Sequence, residues 1–378
     1  MKHTFTLTLL IIALVGAGAF AQPLSMPPNG ENQLSSVSQW IGPVEVKITY
    51  HSPNVHDPSG ADRTGHIWGE LVHYGLIDQG FGSSKAAPWR AGANENTTIT
   101  FSHPVKVEGK DIPAGTYGLF LEVAKDGPWT WIFSRNSTSW GSYFYNPAED
   151  VLKVSTTAVD APYTEFLTYG FDDRYLTTTT AFLQWEKKKV PMKIEVPNVN
   201  EIYVGMMRNE LRSSTGFDVR NYATAARFCA QNKINLDEAL AWADASMDPN
   251  NGGAEDFTGL STKAAVLVAM GKGADATALM DKAIKLPSAR MTDVHQYGRT
   301  LIGMGQSQKA LEVFQYNAKT HPEEKFTTFV GLARGYTAVG NKKEAIKNWE
   351  TALKNVPQGQ EGNRPVWEGE LKKLKESK

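Results

Sequence analysis

The period of the hydrophobic pattern changes once along this chain, near Pro197, and that change constrains the fold more than any single motif. A period of two sends alternate side chains to opposite faces of a strand, whereas a period of 3.6 lays one apolar stripe along a helix. Before Pro197, Val44, Val46, Ile48 and Tyr50 alternate with Glu45, Lys47 and Thr49. The alternation returns in Tyr117/Leu119/Leu121/Val123, in Trp129/Trp131/Phe133 and in Met192/Ile194/Val196. Turn residues separate these runs at Glu108-Gly109-Lys110, Pro113-Ala114-Gly115 and Asp126-Gly127-Pro128. The pattern predicts roughly eight to ten short strands without intervening helices, hence an antiparallel β-sandwich or barrel. Trp129, Trp131, Phe133 and Trp185 are expected in its core, and a further strand is expected around Ile67-Trp68.

After Pro197 the chain is Ala-rich and amphipathic, and it repeats. Ala276, Ala310 and Ala345 are separated by 34 and 35 residues. The last unit reads Leu332, Tyr336, Gly340, Ala345, Trp349, Ala352 and Pro357. The unit before it reads Tyr297, Gly298, Leu301, Gly305, Ala310, Phe314 and Pro322, and a third reads Leu267, Gly271, Ala276, Met280 and Ala283. A degenerate first unit, Asn235 to Met247, carries Ala239 and Ala243. Small residues let antiparallel helices approach, glycine ends the first helix and proline closes the second. These units resemble tetratricopeptide repeats and imply an α-helical solenoid, an array that holds a protein or peptide partner or serves as a scaffold.

The whole chain thus reads as a multi-domain, all-β plus all-α protein. The expected divisions are a signal peptide over 1–21, an antiparallel β-sandwich domain over 22–198, a connecting helix or linker over 199–217 and a helical array over 218–378. Lys2 and His3 precede an apolar run from Leu9 to Ala21, and Ala19-Phe20-Ala21 supplies a small-x-small cleavage site that leaves Gln22 as the mature terminus. The run falls short of the ~20 residues a membrane span needs, so a periplasmic or secreted product without a transmembrane segment is expected. A net charge of -1 gives no electrostatic case for nucleic acid. Cys229 is the only cysteine, which excludes an internal disulfide and leaves stability to packing.

No nucleophile elbow, zinc-protease helix, Walker loop or dinucleotide fingerprint is present, and no cofactor or metal is expected. The densest polar stretch is Trp89-Arg90-Ala91-Gly92-Ala93-Asn94-Glu95, leading into a strand at Thr98. Arg90 there suits an anionic or polyhydroxylated ligand, with Glu95 as acceptor or base. The competing reading is an internal Arg90–Glu95 ion pair with Asn94 and Asn96 holding a tight turn. A second cluster runs from His51 through His56-Asp57 to Asp62-Arg63, with a spacing that matches no established metal pattern. Trp89, Trp140, Tyr143 and Tyr145 lie in Gly-rich surroundings and are candidates for a binding surface, while His73 stands alone and supports no functional claim.

Both clusters resemble a family of exported bacterial proteins, domain-of-unknown-function family 2911, common in Bacteroidetes. The resemblance rests on Tyr50-His51-Ser52-Pro53, Gly60-Ala61-Asp62-Arg63, Ile67-Trp68-Gly69, Leu71-Val72-His73-Tyr74-Gly75, the Trp89–Glu95 stretch, Pro113-Ala114-Gly115-Thr116-Tyr117-Gly118 and Trp140-Gly141-Ser142-Tyr143-Phe144-Tyr145. It covers roughly Gln33 to Val196; His73 and Ala91 depart from residues frequent in the family, and no catalytic residues carry over.

The leading expectation is a non-catalytic binding protein. Its β-domain would recognise a small polar or carbohydrate ligand through His51, Arg63, Trp89, Arg90, Asn94, Glu95 and Tyr143, and its repeats would dock a partner. One alternative is an envelope hydrolase using Glu95 or Asp62 with His51 and an arginine; another is a purely structural assembly protein. If the loops gather at one pole of the sandwich, His51, Arg63, Arg90, Asn94 and Glu95 share one pocket.

Overall fold

The computed structural model describes Met26 and residues 32–377, so the expected leader at 1–21 lies outside the described residues. The chain divides into two compact units, Met1–Val199 and Asn200–Lys378.

In the first unit the strands are β1 (Gln33–Ile41), β2 (Val44–Ser52), β3 (Ala93–Phe101), β4 (Val105–Val107), β5 (Lys110–Ile112), β6 (Gly115–Glu122), β7 (Trp129–Ser134), β8 (Asp150–Thr156), β9 (Val159–Asp172) and β10 (Thr178–Glu195). They pair antiparallel in two sheets, ordered β1-β2-β3-β6-β7-β8 and β5-β4-β10-β9. Both sheets are open, so the sandwich forms and the barrel does not. Val46, Ile48, Ile99, Leu119, Trp131, Phe133, Leu183 and Trp185 are buried, as the period-two pattern requires. Pro191 sits inside β10, between its last rung with β9 at Lys189 and its first with β4 at Ile194. A residue without N–H is tolerated there, and its carbonyl accepts hydrogen bonds from Trp131 Nε1 at 3.1 Å and Thr156 Oγ1 at 2.7 Å.

No strand forms at Ile67-Trp68. Residues 53–92 are one long loop carrying only isolated bridges, including Trp68 with Val72. Gly65 and Gly69 have φ of +80° and +95°, which bends the chain on both sides of that dipeptide. A Cβ on Gly69 would lie 2.3 Å from the Tyr74 ring. The loop is nevertheless anchored. Val55 N–H donates to the Glu165 carbonyl, Gly65 N–H to the buried Glu186 carboxylate and Gly75 N–H to the Val123 carbonyl, while Trp89 and Leu121 exchange both backbone bonds. The loop's own Val55, Ile67, Val72 and Ala87 are buried. That burial explains how a segment of this length holds one conformation.

The helix α1 (Val199–Glu210) starts at the boundary residue and runs into the second unit. Four helical hairpins follow: α2 (Val219–Asn232) with α3 (Leu236–Ala245), α4 (Phe257–Ala269) with α5 (Gly273–Ala283), α6 (Met291–Gly303) with α7 (Ser307–Thr320), and α8 (Thr327–Ala338) with α9 (Lys342–Lys354). The final helix, α10 (Arg364–Glu376), packs on α9. Gly271, Gly305 and Gly340 turn the last three hairpins at φ of +78°, +75° and +77°. The first hairpin makes this turn with Lys233 and Asn235, at +55° and +48°, and so lacks the glycine that marks the others in sequence. Ala276, Ala310 and Ala345 are buried where the paired helices approach. No helix among the described residues is long and apolar enough to cross a membrane.

Cys229 is fully buried between α1, α2 and α3, and burial pushes its thiol up to about 11. It should react with a disulfide reagent at neutral pH only as fast as the array opens. Immediate stoichiometric labelling of the native protein would show this packing to be wrong.

His295 on α6 carries a second titration consequence. Burial, then the charges of Arg334 and Arg299, lower its pKa to about 4 from 6.5. The unfolded chain therefore takes up the proton first, and native stability is full above about pH 6.5 and lost as pH falls towards 4. The loss is expected to be on the order of 2–3 kcal/mol. His295→Gln should flatten the stability profile across this window in denaturant titrations, and an unchanged slope would assign the effect elsewhere.

Candidate ligand-binding site

The turn from Trp89 to Asn94 closes the long loop onto β3 in an unusual backbone conformation. Ala91 is fully buried at φ +49°, and Asn94, the second residue of β3, has φ +54°. Such positions cost on the order of 1–3 kcal/mol for non-glycine residues and persist only when neighbours hold them. Here the Ala91 carbonyl accepts from Tyr169 Oη at 2.8 Å and Thr97 Oγ1 at 3.2 Å. Gly92, between them, has no room for a side chain, because a Cβ would meet Thr97 Oγ1 at 2.5 Å.

This turn aims Arg90 and Asn94 into a cavity of about 360 Å³. Arg90 Nη1 donates to the Asn94 carbonyl at 2.8 Å, and the guanidinium lies 5.4 Å from the centre of the Tyr143 ring. Arg63 enters from the long loop, held by bonds from Nε to the Val55 carbonyl and from Nη2 to the Asn54 carbonyl, both 2.9 Å. Among the described residues neither arginine makes an ion pair with a carboxylate. Asp57 feels the charge of Arg63, but its carboxylate is occupied by Ser59 and the Ala61 N–H. The lining therefore contains two guanidinium groups and no carboxylate.

One wall is aromatic. Trp89 stacks on Trp185 at 6.2 Å and 17°, and Trp68 packs edge-on against both. His73 also lines the cavity. Its Nδ1–H donates to the Gly75 carbonyl at 3.0 Å, which leaves Nε2 as an acceptor, buried and without a partner among the described residues. Desolvation lowers its pKa below the ordinary histidine value, so the ring is neutral at pH 7.

Arg63, Trp89, Arg90 and Asn94 line this cavity. His51 and Glu95 do not. They pair with one another, Nδ1 to Oε2 at 3.2 Å, and the Glu95 side chain is 56% exposed. The expected Arg90–Glu95 ion pair is therefore not formed, because alternation along β3 sends Glu95 away from Arg90 and towards His51 on β2. The single five-residue pocket likewise reduces to three, Arg63, Arg90 and Asn94. Tyr143 braces Arg90 from the side. Of the other loop aromatics, Tyr145 is buried, donating to Asp150 at 2.6 Å, while Trp140 is exposed. His56 pairs with Glu165 at 3.0 Å and Asp62 accepts from the Thr64 N–H, so these groups tie the loop base to β9 and into itself. The hydrolase arrangement of Glu95 or Asp62 with His51 and an arginine is not assembled around this cavity. His73, Gln79 and Trp185 line it and were not singled out from sequence as ligand contacts; their position depends on the path of the loop.

Residues 32–194 match the family described as "Protein of unknown function (DUF2911)". The cavity lies wholly within this DUF2911 region. The helical region is similar to solved structures at low scores. One, "Crystal structure of YrrB: a TPR protein with an unusual peptide-binding site", is 18% identical over 43% of this chain and 81% of that chain, with a TM-score of 0.30. Another, "MamA RS-1 ArsTM double mutant", is 16% identical over 42% of this chain and 94% of that chain, with a TM-score of 0.28. None of the curated proteins compared with the chain matches it. The chain thus combines a DUF2911 region with tetratricopeptide-like helices.

Proposed function

We propose that the protein is an exported binding protein whose DUF2911 region captures a small polar ligand and whose repeats dock a partner. The observation that carries the ligand reading is a formed cavity holding two arginines and no carboxylate. Its size falls within the range of small-molecule sites, about 300–1,000 Å³, and it combines an apolar wall with few, fixed polar groups. Guanidinium groups without an ion-paired carboxylate, held in place by backbone carbonyls, are prepared for a ligand at little reorganisation cost.

The test is thermal unfolding of the full chain against a broad panel of small acids, sugars and short peptides. A ligand at a hundred times its Kd stabilises by about 2.7 kcal/mol, a readily measured midpoint shift. Arg90→Gln should remove that shift, while Glu95→Ala, whose side chain faces His51, should leave it intact. A broad panel without any shift would defeat the ligand reading.

The docking reading rests on a groove of about 310 Å³ between α4, α5 and α6. Val268 and Met304 at its rim are 51% and 46% exposed, and Ala264 and Leu301 lie in its floor. An apolar side chain of a bound peptide fits such a surface. Ala265→Glu would place a charge in the groove and should cut peptide binding at least tenfold; equal binding by this variant would count against the site. The export reading draws on the apolar run and cleavage site at 1–21, and terminal sequencing of the mature protein should begin at Gln22.

A further inference from the structure

Among the described residues four strands stand at sheet edges, β1 and β8 in one sheet and β5 and β9 in the other. An edge exposes unpaired N–H and C=O groups, and proteins blunt it by shortening the strand, charging it, bulging it or inserting proline. Three of these edges are blunted. β5 is three residues long and opens with Lys110-Asp111. β9 contains Asp160, Pro162 and Glu165, and its register with β10 shifts twice. β8 carries Asp150 and Lys153, and the Lys153 carbonyl accepts from Lys110 Nζ at 3.1 Å. β1 has none of these devices. Its nine residues, from Gln33 to Ile41, include no charge and no proline, and all of them pair with β2 without a register shift.

Alternation decides which backbone groups of β1 face outward. Glu45 on β2 spends its N–H on Ser102 Oγ and its carbonyl on the Ser102 N–H, on the side of β2 away from β1. Glu45 stands opposite Trp40, so that rung carries no β1–β2 backbone hydrogen bond. The N–H and C=O groups of Leu34, Ser36, Ser38 and Trp40 therefore point away from β2. The Trp40 carbonyl accepts only a local bond, from the Gln39 side chain at 2.8 Å. The side chains of the same four residues share one face of the strand, on which Leu34 and Trp40 are 64% and 55% exposed.

We propose that two copies of this chain pair through β1, antiparallel about a two-fold axis at Val37. Val37 is the midpoint of the strand, so every residue from Gln33 to Ile41 gains a counterpart in the second copy. In this register Leu34 meets the second copy's Trp40, and Ser36 meets its Ser38. The outward N–H and C=O groups pair with one another, and symmetry makes the Leu–Trp contact twice. A neutral strand brings no like charges together across the axis. A register displaced by two residues sets one of the exposed apolar side chains against serine and the other beyond the strand end, so self-complementarity selects a single pairing.

The test is sedimentation equilibrium of the full-length protein over a concentration series, repeated with Leu34→Glu, Trp40→Lys and the double variant. Both side chains are exposed, so the substitutions should leave the fold intact. Each single change should weaken self-association at least tenfold, and the double variant, with opposite charges across each pair, should recover most of it. Mild oxidation gives an independent reading. Val37→Cys should link copy to copy, whereas Gln33→Cys, about 27 Å from its counterpart at ~3.4 Å per residue, should stay unlinked. A monomer at every concentration overturns the proposal. Protection of its β1 amides from hydrogen exchange would then give the edge to a segment of the same chain, and free exchange would leave the edge unpaired. A dimer that survives both single substitutions and does not link at residue 37 also overturns it, because its contact lies elsewhere. Weakening without recovery in the double variant overturns the axis at Val37.

Discussion

Trp185→Ala should lower the stability of the β-sandwich by about 3–5 kcal/mol and abolish ligand binding at the cavity. Trp185 is almost fully buried, stacks on Trp89 and packs on Trp68, and its Nε1–H donates to the Glu165 carbonyl at 3.2 Å. Truncation removes the transfer free energy of a large ring, leaves a void the surrounding strands cannot fill and takes one of two bonds from the Glu165 carbonyl, which keeps the Val55 N–H. Trp89, which lines the cavity, loses the ring on which it stacks. Denaturant unfolding followed by near-ultraviolet circular dichroism measures the first effect, and calorimetry with any ligand found above measures the second. Trp185→Phe should retain most of the stability. A loss below about 1 kcal/mol for the alanine variant would mean that this wall relaxes far more than a close-packed core allows.

Phe314→Ala should destabilise the helical array by a similar amount, about 3–5 kcal/mol. The ring on α7 lies in a socket made by glycines on two other helices. A Cβ on Gly298 of α6 would sit 2.5 Å from Phe314 Cε1, and one on Gly331 of α8 would sit 2.6 Å from Cδ1. The absent side chains are therefore part of the packing: three helices meet at one aromatic ring because two of them present bare backbone to it. Gly298→Val should be damaging for the opposite reason, overpacking, by about 1–3 kcal/mol or more. Restoring stability in the double variant Gly298→Val/Phe314→Ala relative to the sum of the singles would demonstrate the coupling in a double-mutant cycle.

The two periodicities led to the right architecture because each reports directly on burial. Val46 and Ile48, or Ala276 and Ala310, are apolar for reasons that a neighbour count in sequence can capture. The repeat was plain wherever glycine made the turn and faint in the first hairpin, where Lys233 and Asn235 adopt the same backbone region. The candidate site was only partly legible. Arg63, Trp89, Arg90 and Asn94 stand out as polar and aromatic groups in loops, but His73 is one histidine among several. What brings it to the cavity lining is the tight turn at Gly69, closed by its N–H to the Val72 carbonyl at 2.7 Å, and the bond to Gly75. Glu95 misled for a related reason. Proximity in sequence suggested Arg90 as its partner, whereas the strand pairing of His51 with Ala93 brings His51 beside it instead.

The long loop leaves β2 and re-enters the same sheet at β3, and those two strands are neighbours whose rungs close again at His51 and Ala93. Most of the cavity wall is consequently a cassette with both of its seams at one place. Exchanging residues 53–92 is expected to leave strand register and sheet order intact only where the new sequence keeps the buried Val55, Ile67, Val72, Ala87 and Trp89 and the Gly65 N–H that bonds the buried Glu186 carboxylate. Closing a longer insertion there costs little more than closing this one, since loop entropy grows only with the logarithm of length. Cavity lining and strand scaffold are thereby carried largely by different stretches of chain, and grafting one continuous segment is expected to change the first while leaving the second in register.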